Sequence, residues 1–203
     1  MTDVDVPVLA GRLVRLEPLS SAHVADLARA AAEDRSTYGL TTVPDGAAEV
    51  AEYVRRMTSS GGYAPFAQVR TADGRAVGST SFLTRRRRPD DGRLFAVEIG
   101  ATWLAASAQG RGVNKEAKLL LLTHAFDVWG VGRVDLKTDA RNDRSRRSIE
   151  RIGARFEGVL RNWQPSHAAG EAGGLRDTAM FSIVASEWPA VRDRLRDVVD
   201  SMA

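Results

Sequence analysis

Cysteine is absent from this sequence, which excludes disulfide bonds, zinc sites built from thiolates and a cysteine nucleophile. Histidine is scarce, and the wide spacing of His23, His124 and His167 predicts no metal site. No apolar run approaches the ~18 residues that a membrane-spanning helix needs. The acidic start at residues 1–5 is unlike the basic start of a signal peptide. We therefore expect a cytoplasmic protein that binds neither a membrane nor a metal.

The composition is that of a globular protein. The 203 residues are 43% hydrophobic, which is enough to bury a sizeable core, and no linker, repeat or low-complexity tract interrupts them. Residues 1–203 are therefore predicted to form a single domain. The net charge is only +3, although arginine is much commoner than lysine and occurs in local runs. This balance favours an anionic small ligand, and we do not expect a nucleic-acid partner.

Hydrophobic periodicity and turn signals predict an alternation of strands and helices. Predicted strands lie at residues 12–16, 66–70, 77–83, 93–104, 133–138, 156–163 and 178–184, and predicted helices at 20–32, 44–60, 113–129, 142–152 and 187–202. A turn-rich piece is expected at 85–92 and a long loop at 164–174. This order predicts an α/β fold in which a mixed sheet of about seven strands carries helices on both faces.

Residues 109–115, Gln-Gly-Arg-Gly-Val-Asn-Lys, connect a predicted strand to a predicted helix. Glycines at such a junction let several backbone N–H groups point the same way, and the free N–H groups of the helix N-terminus add a partial positive charge. A loop of this kind binds phosphate. It is not a P-loop, because Lys115 is followed by Glu116 and not by serine or threonine. The alternative is a purely structural glycine turn.

Two segments resemble the GCN5-related N-acetyltransferases (GNAT), nearest to their RimJ/RimL-like branch. The loop has the order Gln-x-x-Gly-x-(small residue), and residues 142–154 resemble the family pattern Asn-x-x-Ala-x-x-x-Tyr-x-x-x-Gly-Phe. The resemblance covers most of the chain. It implies the GNAT fold, in which the fourth strand splays from the fifth at a bulge and the gap admits the pantetheine arm of acetyl-CoA. It further implies cofactor contacts by Trp103 and Leu104 with that arm, by Gln109, Gly110, Arg111, Gly112, Val113, Asn114 and Lys115 around the pyrophosphate, and by Asn142 and Ser145.

The chain departs from the family patterns at two positions. Asn114 stands where the family usually has glycine or alanine, and Ile149 replaces the tyrosine that often protonates the departing thiolate. Ser145 is the nearest hydroxyl in the pattern, and RimL-like proteins commonly carry serine there. We therefore predict Ser145 as the general acid. Its alternative role is that of an ordinary first-turn helix residue.

Glu98 is the predicted base. It precedes Gln109 by eleven residues, a spacing that resembles the catalytic glutamate of the histone acetyltransferase branch. Burial in an apolar strand would make its carboxylate a stronger proton acceptor. The alternative is a structural ion pair with a nearby arginine. His167 is a rival base, because by resemblance its loop borders the acceptor site together with Trp163.

The resemblance implies direct transfer of an acetyl group from acetyl-CoA to a primary amine. An α-amine with a pKa near ~7.8 is roughly one-tenth neutral at pH 7, whereas a lysine amine near ~10.4 is almost wholly protonated. This favours a protein N-terminus as acceptor, with a small-molecule amine as the alternative. There are two alternatives from other classes. One is a catalytically silent acyl-CoA-binding sensor, and the other is a ribosome- or RNA-binding module that uses residues 85–88 together with Arg144, Arg146 and Arg147. The oligomeric state stays open between a monomer and a homodimer.

Overall fold

The computed structural model describes residues 6–166, 168, 171 and 173–202. The α-helices of this part are α1 (Val24–Ala32), α2 (Gly46–Ser59), α3 (Val113–Thr123), α4 (Asp143–Ile152) and α5 (Trp188–Asp200). The strands are β1 (Leu9–Ala10), β2 (Val14–Pro18), β3 (Ala64–Arg70), β4 (Ala76–Arg87), β5 (Leu94–Leu104), β6 (Arg133–Asp139), β7 (Arg155–Pro165) and β8 (Leu175–Val184). None of the helices in the described part is long and apolar enough to cross a membrane.

The strands form one mixed sheet in the order β1-β2-β3-β4-β5-β6-β8-β7. Within the described residues only β5 and β6 pair in parallel, and the other neighbouring strands are antiparallel. The predicted α/β fold is therefore confirmed. The described part has eight strands and not seven, because the two-residue strand β1 adds an edge by pairing with Arg15 and Leu16. A segment this short carries no period-2 signal in the sequence.

β5 and β6 separate soon after they meet. Their pairing ends at Glu98 and Asp135, although β5 continues to Leu104. On its other side β5 contains a bulge, since Ser79 and Ser81 of β4 pair with Trp103 and Gly100. At this bulge Ala101 has a positive φ of 48°. The splayed strand pair and the bulge that the family resemblance implies are thus both present.

The helices cover both faces of the sheet. On one face, α1 and α2 pack together, and the Tyr53 hydroxyl of α2 donates to Ser79 Oγ of β4 at 3.0 Å. On the other face, Phe82 of β4 packs against Trp129, with ring centroids 4.5 Å apart, in the segment that follows α3. α5 packs against α3. The alternation of residues along β4 thus sends neighbouring side chains to the two helical layers.

A buried carboxylate fixes the start of α3. Both oxygens of Glu116 accept backbone N–H groups, from Arg12, Leu13 and Val14, at 2.7–2.8 Å. A side chain on Gly11 would place its Cβ 2.4 Å from the Glu116 Cδ atom, so glycine is required there. The first turn of α3, and with it the preceding loop, is therefore held against β2.

Several predicted boundaries were wrong, and the strand predicted at 12–16, for example, is Val14–Pro18. Residues 85–87 of the arginine run belong to β4, where Arg86 and Arg87 pair with β5, so the turn is confined to residues 88–93. The predicted loop at 164–174 begins two residues later, because β7 reaches Pro165, and the strand predicted from residue 178 already begins at Leu175. The helix predicted to Trp129 is an α-helix only to Thr123 and continues as a π-helix over His124–Val128.

Candidate active site

A cavity of about 1250 Å³ opens where β5 and β6 separate. Residues 98–104 of β5 and 136–138 of β6 line it, together with side chains of α2, α3, α4 and β8. The structure brings most predicted site residues to this cavity, namely Glu98, Trp103, Leu104, Gln109, Gly110, Gly112, Asn114, Lys115, Asn142 and Ser145. Arg111 and Val113 instead line a separate cavity of about 400 Å³.

The loop before α3 has the backbone that its glycines predict. Gly110 and Gly112 have positive φ angles of 72° and 83°, and Gly112 is the N-cap residue of α3. A Cβ on Gly112 would lie 2.7 Å from Leu13 Cδ1, whereas one on Gly110 would meet nothing within 4 Å. Position 112 therefore favours glycine through its backbone conformation, and a side chain there would also have to displace the side chain of Leu13. At position 110 only the conformation favours glycine.

Gln109 ties this loop to three other parts of the chain. Its Nε2 donates to the Leu104 carbonyl at 3.0 Å and to Thr37 Oγ1 at 3.2 Å, and its Oε1 accepts from Arg144 at 3.0 Å. The same Leu104 carbonyl accepts from the Tyr38 hydroxyl at 3.0 Å. Both lone pairs of this carbonyl thus accept hydrogen bonds from the protein. If Leu104 contacts the pantetheine arm of acetyl-CoA through its backbone, it must do so through its N–H group.

Sequence reasoning missed Tyr38. Its ring lines the cavity and packs edge-on against Trp103, with centroids 6.3 Å apart. Tyr38 ends the short 3-10 helix Arg35–Tyr38, a segment with no periodic apolar pattern. Only its contacts with residues more than sixty positions away identify it as part of the site.

Glu98 lies in the cavity wall with only 5% of its surface exposed. Its Oε2 is 3.0 Å from Lys137 Nζ and accepts from Thr84 Oγ1 at 3.2 Å. The ion pair that was considered as an alternative therefore exists, but its cation is a lysine of β6 and not an arginine. Among the described residues, Oε1 accepts no hydrogen bond. The rival base His167 lies outside the described residues.

At the start of α4, Asn142 is a helix cap. Its Oδ1 accepts the backbone N–H of Ser145 at 3.0 Å, which is the structural role that asparagine favours at this position. Ser145 lines the cavity, and its hydroxyl makes no hydrogen bond with the described residues. Ile149, one turn later, is buried and lines the same cavity.

Lys118 is a second residue that sequence reasoning missed. It lies on α3, is only 4% exposed and lines the cavity. Its Nζ is 2.7 Å from Thr102 Oγ1 and 3.2 Å from Thr80 Oγ1, and it forms no ion pair with a described carboxylate. Burial lowers the pKa of this amine from 10.5 to about 7. One turn earlier, Asn114 Oδ1 is also buried and has no partner in the described part of the chain.

The buried lysine predicts an unusual dependence of stability on pH. Between pH 7 and about 10.5 Lys118 holds its proton in the unfolded chain but not in the folded one, so stability increases with pH in this window. The contribution of Lys118 to the free energy of unfolding should increase by about 1.4 kcal/mol per pH unit in this window, and Lys118→Met should remove that contribution. Urea unfolding of the wild type and of Lys118→Met at pH 7, 8 and 9 measures this dependence of the free energy of unfolding on pH. Leu121→Met, a neutral change on the same helix, should keep the wild-type slope, and parallel curves for wild type and Lys118→Met would contradict the prediction.

Comparison with known proteins gives the following matches. A sequence model described as an acetyltransferase (GNAT) domain matches residues 13–155. The chain is 32% identical to a GCN5-related N-acetyltransferase from Brucella melitensis, with a TM-score of 0.83 over 98% of this chain and 87% of the other. Two more distant structures share the fold. They are Mycobacterium smegmatis RimJ in complex with CoA-disulfide (24% identity, TM-score 0.74, 94% and 91% covered) and the ribosomal-protein-S5-alanine acetyltransferase from Vibrio fischeri (16%, 0.67, 91% and 99%). No protein of curated function matches.

Proposed function

Because the chain belongs to the GNAT acetyltransferase family, we propose that it transfers the acetyl group of acetyl-CoA directly to a primary amine. One observation carries this proposal. The glycine loop at the N-terminus of α3, the gap between β5 and β6, and the side chains of Glu98 and Ser145 all open to the same cavity. A phosphate site, a channel for a flexible arm and groups for proton transfer are therefore contiguous.

The residues present fit acetyl-CoA. Gly110 and Gly112 leave the loop backbone uncovered, and the first turn of α3 offers N–H groups to the pyrophosphate. Lys115 and Arg144 add positive charge to the cavity wall. The buried oxygen of Asn114, which has no partner among the described residues, is an acceptor of the kind that an amide group of a pantetheine arm would satisfy.

In the proposed reaction the neutral acceptor amine attacks the thioester carbonyl. A C–N bond forms and the C–S bond breaks, so the amine must lose a proton and the sulfur must gain one. We assign the first proton to Glu98 and the second to Ser145. Glu98 is suited to its task because it is buried in the gap and has one carboxylate oxygen free of described partners.

The acceptor proposed first is an α-amine, such as a protein N-terminus, since it is partly neutral at pH 7 and needs little help from a base. A protein named for acetylation of ribosomal protein S5 shares the fold and supports this choice by analogy. A small-molecule amine is the second candidate. The cavity of about 1250 Å³ exceeds the 300–1,000 Å³ typical of a small-ligand site, which leaves space beyond the arm for either acceptor.

Mass spectrometry of amines and peptides incubated with acetyl-CoA tests the proposed function. We expect a mass increase of one acetyl group on at least one acceptor, with release of CoA. Binding of acetyl-CoA without transfer to any acceptor would support the sensor alternative instead. RNA binding that weakens steeply with salt and ignores acetyl-CoA would support the nucleic-acid alternative.

Ser145→Ala should lower turnover by roughly ten- to a thousand-fold, because it removes the proposed proton donor. The dissociation constant of acetyl-CoA should change much less. Ser148→Ala is the matched control, since Ser148 is another α4 serine that lines the cavity. Steady-state rates and cofactor titrations of the three proteins provide the comparison. Full turnover in Ser145→Ala would assign the proton to water.

A further inference from the structure

Arg176 of β8 is a buried cation without a partner among the described residues. It lines the cavity, and only 8% of its surface is exposed. Its Nε atom is fully buried and makes no hydrogen bond, and no described carboxylate lies within ion-pair distance of its guanidinium. Burial lowers the pKa of Arg176, yet an arginine stays charged at neutral pH. An unpaired buried charge is costly, so the site favours a ligand that neutralises it.

The carboxylates that act electrostatically on Arg176 are already engaged. They are Asp139 and Glu98. Both oxygens of Asp139 accept from the Arg141 guanidinium, at 3.0 and 2.8 Å. Glu98 is paired with Lys137 at 3.0 Å. Arg141 is also paired with Glu171, at 2.6 Å, so the charges of this cluster balance, yet the Arg176 guanidinium itself makes no ion pair with a described carboxylate.

Arg176 lies on the same sheet face as the proposed base. Glu98 pairs with Asp135 of β6, and Lys137 and Asp139 follow on the same face of that strand. Asp139 pairs with Thr178 of β8, so Arg176, two residues earlier in β8, also points to this face. Its partner on β7, Gln164, also lines the cavity. An acceptor whose amine reaches Glu98 is therefore surrounded by residues of β6, β7 and β8.

We propose that Arg176 binds a carboxylate of the acceptor, so that the acceptor amine belongs to an amino acid or to a peptide with an acidic residue near its N-terminus. This inference rests on the proposed acetyl transfer, since it assigns the acceptor to the same cavity. A guanidinium matches a carboxylate because two parallel N–H groups meet two oxygens.

Matched acceptor pairs test this proposal. The first pair is an L-amino acid and its primary amide, and the second is two peptides that differ only in aspartate or asparagine at the second position. Because the protein has no cysteine, a thiol reagent reports released CoA without a protein background. Each pair is assayed over a range of pH, so that differences in amine pKa are separated from recognition of the carboxylate. A preference within the first pair indicates that Arg176 binds the α-carboxylate of a free amino acid. A preference within the second pair indicates that it binds an acidic side chain of a peptide.

We expect the wild type to prefer the acidic member of one pair by about 10- to 100-fold in kcat/KM. Arg176→Gln should abolish this preference mainly through KM, and Arg176→Lys should keep part of it, because the charge remains and the forked geometry is lost. Arg161→Gln, which changes an exposed arginine of β7, should keep the full preference. Thermal unfolding of each variant verifies that it is folded.

Calorimetric binding of the same pairs in the presence of CoA separates this inference from the proposed reaction. If no acceptor is acetylated but the acid binds more tightly than the amide, and only in proteins that retain Arg176, the carboxylate site stands and the acetyl transfer fails. If wild type shows no preference in turnover or in binding, or if Arg176→Gln keeps it, the proposal is wrong.

Discussion

Glu98→Gln should lower the rate of acetyl transfer at pH 7 by roughly 100- to 10,000-fold, which is the usual contribution of a general base. Glutamine keeps the size of the side chain and can still hydrogen-bond Thr84, but it cannot take a proton from the acceptor amine. The loss should shrink at high pH, where the amine deprotonates without help. A pH profile of kcat/KM for wild type and Glu98→Gln measures both effects.

Two controls test whether the loss of rate in Glu98→Gln is specific to the proposed base. Glu52→Gln removes another carboxylate that lines the cavity, on α2, and should have little effect on the profile. The affinity for acetyl-CoA should stay close to the wild-type value in Glu98→Gln, which shows that the ion pair with Lys137 is not needed for cofactor binding. If His167→Ala abolished the acidic limb of the profile while Glu98→Gln was benign, the base would be His167.

Gly110→Asp should weaken acetyl-CoA binding by about 10- to 100-fold relative to Gly110→Asn, because a carboxylate beside the pyrophosphate repels its negative charges. Position 110 suits this test better than position 112. A Cβ on Gly110 meets nothing within 4 Å, whereas one on Gly112 would collide with Leu13. Asparagine and aspartate have the same size and both tolerate the positive φ of 72°, so the two variants differ only in charge.

Titration calorimetry at two salt concentrations gives the two dissociation constants. The difference between them should narrow as salt increases, since mobile ions screen the repulsion. Equal affinity of the aspartate and asparagine variants at low salt would remove the loop from the cofactor site. It would leave the cavity and the proton-transfer residues without a phosphate anchor, and the proposed function would lose its main support.

The sequence alone was sufficient to predict the elements that bound the site. The apolar run along β5, the helical spacing after Val113 and the glycines at 110, 112 and 153 are local signals, because backbone conformation depends mainly on near neighbours. The family resemblance, which is now confirmed, predicted that the loop binds the pyrophosphate of acetyl-CoA and that the splayed strands admit its pantetheine arm. It also led to Glu98 and Ser145, whose roles in catalysis remain predictions.

Tertiary structure alone decided which polar side chains are buried and which have partners. In the sequence Lys118 is one of several charged residues of a predicted helix. In the structure α3 packs it against Thr80 and Thr102, which belong to two different strands. Burial distinguishes Arg176 from exposed arginines such as Arg161, and its neighbours Asp139 and Glu98 are already engaged by Arg141 and Lys137. Such pairings join positions far apart in the chain, and their energies depend on burial that no local pattern encodes. The sequence therefore determined the framework of the site, and packing between its elements decided the charges that an acceptor would meet.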